Sequence, residues 1–281
     1  MTRIVLLLAL FAGPALAQDP PAWTRPTAPF RVVGPIHYVG TEGLAAYLIE
    51  TSRGLILIDG TMEENVPAIE RSIAALGFRL KDVKLLLNSH AHFDHAAGLA
   101  KLKADSGAAL LASPRDRPAL ESGRPIGETS YGEVRFPAVK VDRVLADGRP
   151  VRLGDVTLIP TFTPGHTTGC TTWSMKIRDG GRLLDVVFPC SITVAGNRLV
   201  GNRGYPGIVA NFHASFRKLA RMHADVVLPA HPEAADMLGR KARRDAGDRD
   251  AMLMPGLLPK LVRDAEAAFE VALAKEQAAS R

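Results

Sequence analysis

The fold of this chain is decided by the stretch Leu85-Leu86-Leu87-Asn88-Ser89-His90-Ala91-His92-Phe93-Asp94-His95. The three leucines follow Val83 and predict a buried strand whose apolar run stops at Asn88. Directly after it, three histidines and one aspartate occur within six positions. Imidazole nitrogens and carboxylate oxygens are the ligands that zinc and similar borderline metals favour. The stretch therefore predicts a metal site at the end of a core strand, in preference to a polar turn with accidental histidines.

Two further histidines follow strand-like segments in the same way. The run Val156–Phe162 leads into Gly165-His166, and a second apolar run, Val226-Val227-Leu228, leads into His231. In layered α/β folds, ligand-binding groups gather on the loops at strand ends. We therefore expect these histidines to join the cluster. The remaining three lie in strand or helix patterns and need no role: His37, His213 and His223.

The N-terminal residues have the pattern of a secretory signal. A short basic start at Arg3 precedes an apolar run from Ile4 to Ala12, and Ala15-Leu16-Ala17 has the small residues of a cleavage site. This predicts a signal peptide over 1–17, a single domain over 18–281, and export to a bacterial periplasm. Because no other stretch is long and apolar enough to cross a bilayer, we expect no membrane partner after cleavage.

The charge balance is basic, with a formal net charge of +6 and a pI near 9.5. Much of the positive charge lies in Arg240-Lys241-Ala242-Arg243-Arg244, and Asp245, Asp248 and Asp250 follow at once. Alternating signs over so short a range favour a solvated loop over a nucleic-acid-binding surface. We expect no nucleic-acid partner.

The two cysteines, Cys170 and Cys190, flank a predicted hairpin. Thr171–Ile177 and Leu183–Phe188 are strand-like, and if the turn between them centres on Gly180, the cysteines face each other across the ladder. In an oxidising compartment this favours a disulfide. The alternative is that one cysteine binds metal, because both are expected near the predicted ligands.

Two other features have expected roles near the site. Asp59 ends the apolar run Leu55–Ile58, and an acid at that position usually supports a neighbouring ligand instead of binding metal itself. The loop Ser122–Pro137 has no periodicity, and loops of that length are often functional. It either flanks the mouth of the pocket or is a surface insertion.

The motif His90-x-His92-x-Asp94-His95, together with Gly165-His166 and His231, resembles the metallo-β-lactamase superfamily over nearly the whole chain. The resemblance implies an α/β (α+β) fold, a four-layer αββα sandwich with a metal pair at one edge. Many members place a bridging aspartate on the loop after the strand that follows Gly-His. The corresponding segment here, Pro189–Thr193, has no carboxylate, which is similar to the true β-lactamases. The details that look like subclass B3 are His90, Ser191, Gly201-Asn202, Tyr205-Pro206 and Ala230-His231-Pro232.

The resemblance implies two Zn²⁺ ions per chain and zinc-dependent hydrolysis of the β-lactam ring of penicillins, cephalosporins and carbapenems, which confers antibiotic resistance. The substrate is a small molecule, and we expect a monomer. The ligands of the first zinc would be His90, His92 and His166, and those of the second Asp94, His95 and His231.

The predicted nucleophile is water, because the chain lacks the G-x-S-x-G motif of serine hydrolases and zinc lowers the pKa of a bound water. Asp94 is the predicted catalytic residue, since one oxygen can ligate metal while the other orients the nucleophile or relays its proton. Ser191 and Thr193 would bind the substrate carboxylate, directly or through water, unless they are satisfied locally. Asn197 would help to polarise the carbonyl.

Two other functions are compatible with the same motif. The first is a lactonase or thioesterase of the same superfamily, which the missing bridging carboxylate argues against. The second is a periplasmic zinc-binding protein without catalysis. Open coordination positions argue against it, because storage sites usually close the coordination shell.

Overall fold

A computed structural model describes residues 19–280 of the chain, and the predicted signal peptide over 1–17 lies outside the described residues. The first sheet has seven strands in chain order, of which β1 to β4 form an antiparallel meander while β5, β6 and β7 run parallel to β4. The strands are β1 (Phe30–Val33), β2 (Ile36–Tyr38), β3 (Tyr47–Thr51), β4 (Gly54–Ile58), β5 (Val83–Leu87), β6 (Ala109–Ala112) and β7 (Arg143–Val144).

The second sheet has five strands in the order β12-β11-β10-β9-β8. They are β8 (Val151–Leu153), β9 (Val156–Phe162), β10 (Thr171–Asp179), β11 (Arg182–Phe188) and β12 (Val226–Val227). The predicted hairpin is confirmed, although its turn centres between Gly180 and Gly181, since Asp179 pairs with Arg182. Both glycines have positive φ, +55° and +83°. A two-residue turn of this hand requires positive φ at both positions, which glycine adopts without strain.

Seven α-helices surround the sheets in the described part of the chain. They are α1 (Val66–Ala75), α2 (Phe93–Ala96), α3 (Leu99–Ser106), α4 (Arg117–Ser122), α5 (Ile208–Leu219), α6 (Met237–Asp245) and α7 (Leu257–Ala279). Among residues 19–280, none of the helices combines the length and the apolar character that a membrane crossing requires.

Side-chain alternation in the first sheet produces two buried layers. Leu48, Leu57, Leu86 and Leu110 are lateral neighbours on one face and pack with residues of α1, α3 and α4. The intervening positions point to the other face and pack with the second sheet. They include Tyr47, Ile58, Leu87 and Leu111.

The outer layer on the second sheet is formed by α5 and α7. Phe212 and Phe216 of α5 and Phe269 of α7 are at most 1% exposed, and the Phe212 and Phe269 ring centroids lie 4.9 Å apart. Helices therefore cover both outer faces of two facing sheets, which confirms the predicted αββα sandwich.

The prediction of a solvated loop over Arg240–Arg244 is wrong, because this segment belongs to helix α6. Arg240 donates to the carbonyls of Ala235 and Ala251, each at 2.8 Å. Arg244 lies over the Phe30 ring, 5.6 Å from its centroid. These guanidinium groups attach the helix to neighbouring elements. Some of the charged residues that predicted a solvated loop therefore pack against the rest of the protein.

Cys170 and Cys190 form the predicted disulfide, with a Cα–Cα distance of 5.8 Å. Both are buried just beyond the ends of β10 and β11, and the Cys190 sulfur lies 3.3 Å from the carbonyl oxygen of Ser89 in the histidine-rich loop. A disulfide has no thiolate to offer a metal, so the alternative of a cysteine ligand does not hold.

Replacing both Cys170 and Cys190 with serine should lower the free energy of unfolding by about 3 kcal/mol, because the bond closes a loop of about 20 residues and restricts the unfolded chain. Urea unfolding followed by circular dichroism measures this. The oxidised parent protein with dithiothreitol omitted is the reference. A double variant as stable as the parent would contradict the expectation.

Candidate metal centre

Four segments bring the predicted ligands together. His90 and His92 lie on the loop after β5, and Asp94 and His95 lie on the short helix α2 that follows. His166 lies between β9 and β10, and His231 follows β12. The loops after β5, β9 and β12 meet at one edge of the sandwich, and the six side chains converge there as two groups of three.

The first group consists of His90, His92 and His166, whose ligand nitrogens all lie within 4.8 Å of one another. His90 Nε2 and His166 Nε2 are 3.1 Å apart, and the His92 ring centroid lies 4.6 Å from that of His166. Burial lowers the pKa of His90 and of His166 well below the ordinary value and that of His92 to about 4. The imidazoles are therefore neutral at pH 7, as metal ligands must be.

The hydrogen bonds of the Nδ1 atoms, which face away from the cluster, define the tautomers of His90 and His166. His166 Nδ1 lies 2.8 Å from the carbonyl oxygen of Thr193, which only accepts, so Nδ1 carries the proton. Ser89 Oγ donates to Asp59 at 2.6 Å and therefore accepts from His90 Nδ1 at 3.0 Å. Both Nε2 atoms then direct lone pairs at each other across 3.1 Å. That arrangement is favourable only with a cation between them.

The second group consists of Asp94, His95 and His231. Asp94 Oδ2 lies 3.1 Å from His95 Nε2 and 3.4 Å from His231 Nε2, and the two nitrogens are 3.2 Å apart. A tetrahedral zinc ion with bonds of about 2.0–2.1 Å separates its donors by roughly 3.3–3.4 Å. Burial alone would raise the pKa of Asp94, but the neighbouring His95 and His231 hold it well below its usual range. The donor set fits a zinc ion.

Asp59 lies behind the ligands, as predicted. It is 2% exposed, and one oxygen accepts from the Ser89 amide at 2.7 Å while the other accepts from the Ser89 hydroxyl. The carboxylate also lies 3.9 Å from His95 Nδ1. Asp59 thus connects the backs of both groups, through Ser89 to His90 and directly toward His95.

Asp116 has a comparable role that sequence reasoning missed. Its side chain is buried just before α4, and one oxygen accepts from the Ala91 amide at 3.0 Å and from the Thr167 hydroxyl at 2.8 Å. The other accepts from the Gly169 amide at 2.7 Å. A single carboxylate therefore holds the His90–His92 loop against the loop that carries His166.

The two groups lie at the base of a cleft of about 480 Å³. Trp23 forms one wall, its ring 5.6 Å from that of His231, and its carbonyl accepts from the Thr41 hydroxyl and the Asn65 amide. Tyr131 and Val134 line the opposite side, so the 122–137 loop flanks the mouth of the pocket. The alternative of a remote surface insertion does not hold.

The predicted substrate-binding residues occupy different positions. Thr193 is exposed and lines the cleft, and its hydroxyl lies 3.2 Å from that of Ser191. Asn197 is 3% exposed, and its amide nitrogen donates to the carbonyls of His166 at 3.0 Å and Val194 at 2.8 Å. The Asn197 amide is thus engaged with the backbone of the ligand loop and does not face the cleft.

A serine nucleophile motif occurs on α5, where Ser215-Phe216-Arg217-Lys218 matches the pattern S-x-x-K of serine β-lactamases. Ser215 is buried and donates to the carbonyl of Pro164 at 2.6 Å. Lys218 binds the carbonyl of Phe162 and the carboxylate of Asp147. Both side chains attach α5 to the second sheet, and neither lines the cleft.

Comparison with known proteins agrees with this geometry. The family model described as "Metallo-beta-lactamase superfamily" matches residues 40–231. BJP-1, a subclass B3 metallo-beta-lactamase of Bradyrhizobium japonicum, is 44% identical, with a TM-score of 0.88 over 93% of this chain and 99% of that chain. The FEZ-1 metallo-beta-lactamase from Legionella gormanii is 37% identical, with a TM-score of 0.85 over 90% of this chain and 98% of that chain.

A curated relative carries a different name. The hydroxyacylglutathione hydrolase of Acidiphilium cryptum is 29% identical over 214 residues, which cover 76% of this chain and 75% of the relative. The family match spans both ends of the metal site, from before Asp59 to His231. The chain therefore belongs to the metallo-beta-lactamase superfamily, as the resemblance of its histidine motif implied.

Proposed function

We propose that this protein hydrolyses the amide bond of the β-lactam ring in penicillins, cephalosporins and carbapenems, with two zinc ions per chain. The observation that supports it is the pair of adjacent three-ligand groups at the base of one cleft, with no carboxylate on the segment Pro189–Thr193 to bridge them. The likeness to the subclass B3 enzymes named above supports the same substrate class.

Asp94 is proposed as the catalytic residue. Its Oδ2 atom faces His95 and His231, which leaves Oδ1 for a water molecule at the base of the cleft. Because the pKa of this carboxyl lies well below its usual range, Oδ1 accepts a hydrogen bond from the water and aims its lone pair at the lactam carbonyl. It takes the proton as the new C–O bond forms and returns it to the lactam nitrogen as the C–N bond of the ring breaks. Divalent cations bound in the site supply Lewis-acid polarisation of the carbonyl and a lowered water pKa.

The remaining contacts hold the substrate. Thr193 lines the cleft and the Ser191 hydroxyl lies 3.2 Å from the Thr193 hydroxyl; both are proposed to bind the lactam carboxylate, directly or through water. The Trp23 and Tyr131 rings form apolar walls for the substituents of the bicyclic nucleus. Asn197 is proposed to act indirectly, because its amide fixes the His166 loop.

On this proposal the enzyme acts as a monomer on a small-molecule antibiotic. Export by the predicted signal peptide over 1–17 would place it in the periplasm, between the entering drug and its target. An enzyme there would confer resistance.

The decisive experiment measures hydrolysis of a penicillin, a cephalosporin and a carbapenem by the purified protein. We expect turnover of all three classes, loss of turnover after dialysis against EDTA, and recovery on addition of zinc, because all six ligands belong to the site that EDTA empties. Turnover that survives EDTA would contradict the proposal. If the zinc-loaded protein hydrolyses none of the three, the result would favour the alternative of a zinc-binding protein without catalysis.

A second candidate function is thioester or lactone hydrolysis, which the likeness to the Acidiphilium cryptum hydrolase favours. S-lactoylglutathione and an acyl homoserine lactone therefore belong in the same assay. A kcat/KM larger for either of these than for every β-lactam would favour this function over the first.

A further inference from the structure

Glu128 makes five hydrogen bonds to one segment of a different loop. Its Oε1 atom accepts from the Arg203 amide at 3.0 Å, and its Oε2 atom accepts from the Arg198 guanidinium at 3.0 Å. Its backbone carbonyl accepts from the Arg198 amide at 2.8 Å and its own amide donates to the side chain of Asn202 at 3.2 Å. The fifth bond runs from the Asn202 side-chain nitrogen to the Glu128 carbonyl. Two of the five bonds come from the carboxylate, so the side chain adds to the backbone pairing of the two loops and is more than a surface ion pair.

The two loops that Glu128 joins are adjacent walls of the cleft, and the Ser130 amide of one also donates to the Gly196 carbonyl of the other at 2.8 Å. The 122–137 loop carries Tyr131 and Val134 at the mouth. The other loop begins at Thr193, whose carbonyl oxygen accepts from His166, and continues through Asn197, which donates to the His166 carbonyl. The second loop is therefore also held in place by its contacts with His166.

The receiving segment is held from its far side by a second carboxylate. Glu276, on the long helix α7, accepts from the Leu199 amide at 2.8 Å and from the Val200 amide at 3.0 Å. The segment 198–203 is thus fixed to the helical layer, and Glu128 attaches the flanking loop to that fixed base. Close approach of the two backbones adds to this, since a Cβ atom on Gly204 would lie 3.0 Å from the Gly127 Cα.

We infer that Glu128 is a positioning residue that fixes Tyr131 relative to Thr193 at the cleft mouth, and thereby selects which substrate substituents the mouth admits. This inference rests on the proposed β-lactamase function for its substrate class. It assigns Glu128 no contact with the substrate and no part in the reaction itself.

Glu133 provides a matched control on the same loop. Both glutamates have side chains that are 39% exposed, and both pair with arginines. The partners of Glu133 are Arg124 and Arg135, which belong to the same loop, whereas those of Glu128 lie on the neighbouring loop. Loss of charge at either position is therefore chemically similar, but only the change at Glu128 weakens the connection between the two walls.

The kinetic test compares Glu128→Gln and Glu133→Gln with the parent protein, on a penicillin with a small acyl side chain and on one with a bulky aromatic side chain. In the Glu128→Gln variant, the side-chain NH₂ group would replace one carboxylate oxygen. It would then face the Arg203 amide or the Arg198 guanidinium, both of which are hydrogen-bond donors. We expect KM for the bulky substrate to change by roughly three- to tenfold, the effect of about one net hydrogen bond. The value of kcat, the zinc content and KM of the control variant should stay at parent values.

Hydrogen–deuterium exchange gives a readout that does not depend on activity. Glu128→Gln should speed amide exchange in both 129–134 and 193–199, whereas Glu133→Gln should affect the 122–137 loop alone. Exchange in 193–199 that stays at the parent rate, or a fall in kcat with KM unchanged, would overturn the inference. If the parent hydrolyses no β-lactam, the proposed function fails while exchange still decides whether Glu128 couples the walls.

Discussion

Replacing His92 with alanine is expected to lower kcat/KM for a penicillin by roughly three orders of magnitude, the scale of losing one preorganised electrostatic group. Bound zinc should fall from about two ions per chain to about one, because two nitrogens alone do not complete a three-ligand catalytic site. His92 suits this test because its side chain lines the cleft. The side chains of His90 and His166 also hydrogen-bond to neighbouring groups, to Ser89 and to the Thr193 carbonyl, so their removal would disturb more than the metal site. Steady-state kinetics and elemental analysis after dialysis measure the two effects.

His223→Ala is the control for this variant. Its side chain is 71% exposed, pairs with the carboxylate of Asp225 and lies outside the cleft. It should keep the zinc content and the turnover of the parent. If His92→Ala remains folded by circular dichroism and hydrolyses the penicillin at the parent rate, the proposed mechanism is incorrect.

The convergence of the candidate ligands was predictable because each comes with a local signal. A run of leucines ending in a polar residue marks the end of a buried strand, and His90, His92 and His95 follow at once. His166 and His231 follow strands in the same manner, although they lie 76 and 136 residues from their partners at the site. The hydrophobic pattern determines which strands are buried and hence which loops meet at the sheet edge, and these loops carry the candidate ligands.

The residues that hold these loops in place have no such signal. Asp116 accepts hydrogen bonds from groups 25 and 51 residues away, and Glu128 binds an amide 75 residues away. Each is a single acid in an irregular segment, and sequence periodicity carries no information about its partners. The same limit applies to Asn197, a polar loop residue that was expected to contact the substrate. Its amide nitrogen instead donates to the backbone carbonyl of His166.

Helix α6 shows a different limit. Its segment is dominated by charged residues and contains few apolar ones, so charge patterning favoured a loop. The helix is nevertheless stabilised by tertiary contacts, in which Arg240 and Arg244 cap carbonyls and cover Phe30. Long cationic side chains bury their stems while keeping the charged ends near polar groups, and a sequence pattern does not reveal this.

Replacing Asp116 with asparagine should loosen the metal centre without removing a ligand. Both carboxylate oxygens accept from backbone amides, of Ala91 and of Gly169, so either orientation of the asparagine directs its NH₂ group at a donor. A buried amide that loses its acceptor costs about 1–3 kcal/mol of stability. Because the two ligand loops then shift relative to each other, we expect zinc affinity to fall by roughly 10- to 100-fold, as for groups that orient metal ligands elsewhere.

Competition with a chromophoric chelator measures the zinc affinity, and thermal unfolding of the metal-free protein measures the stability separately. Asp142→Asn is the matched control, because Asp142 also accepts from a backbone amide, that of Leu110 at 2.8 Å, and pairs with Lys103. It touches neither ligand loop, so its variant should bind zinc as the parent does even if it unfolds at a lower temperature. Equal zinc affinities for the Asp116 and Asp142 variants would show that the ligand loops keep their positions without the Asp116 carboxylate.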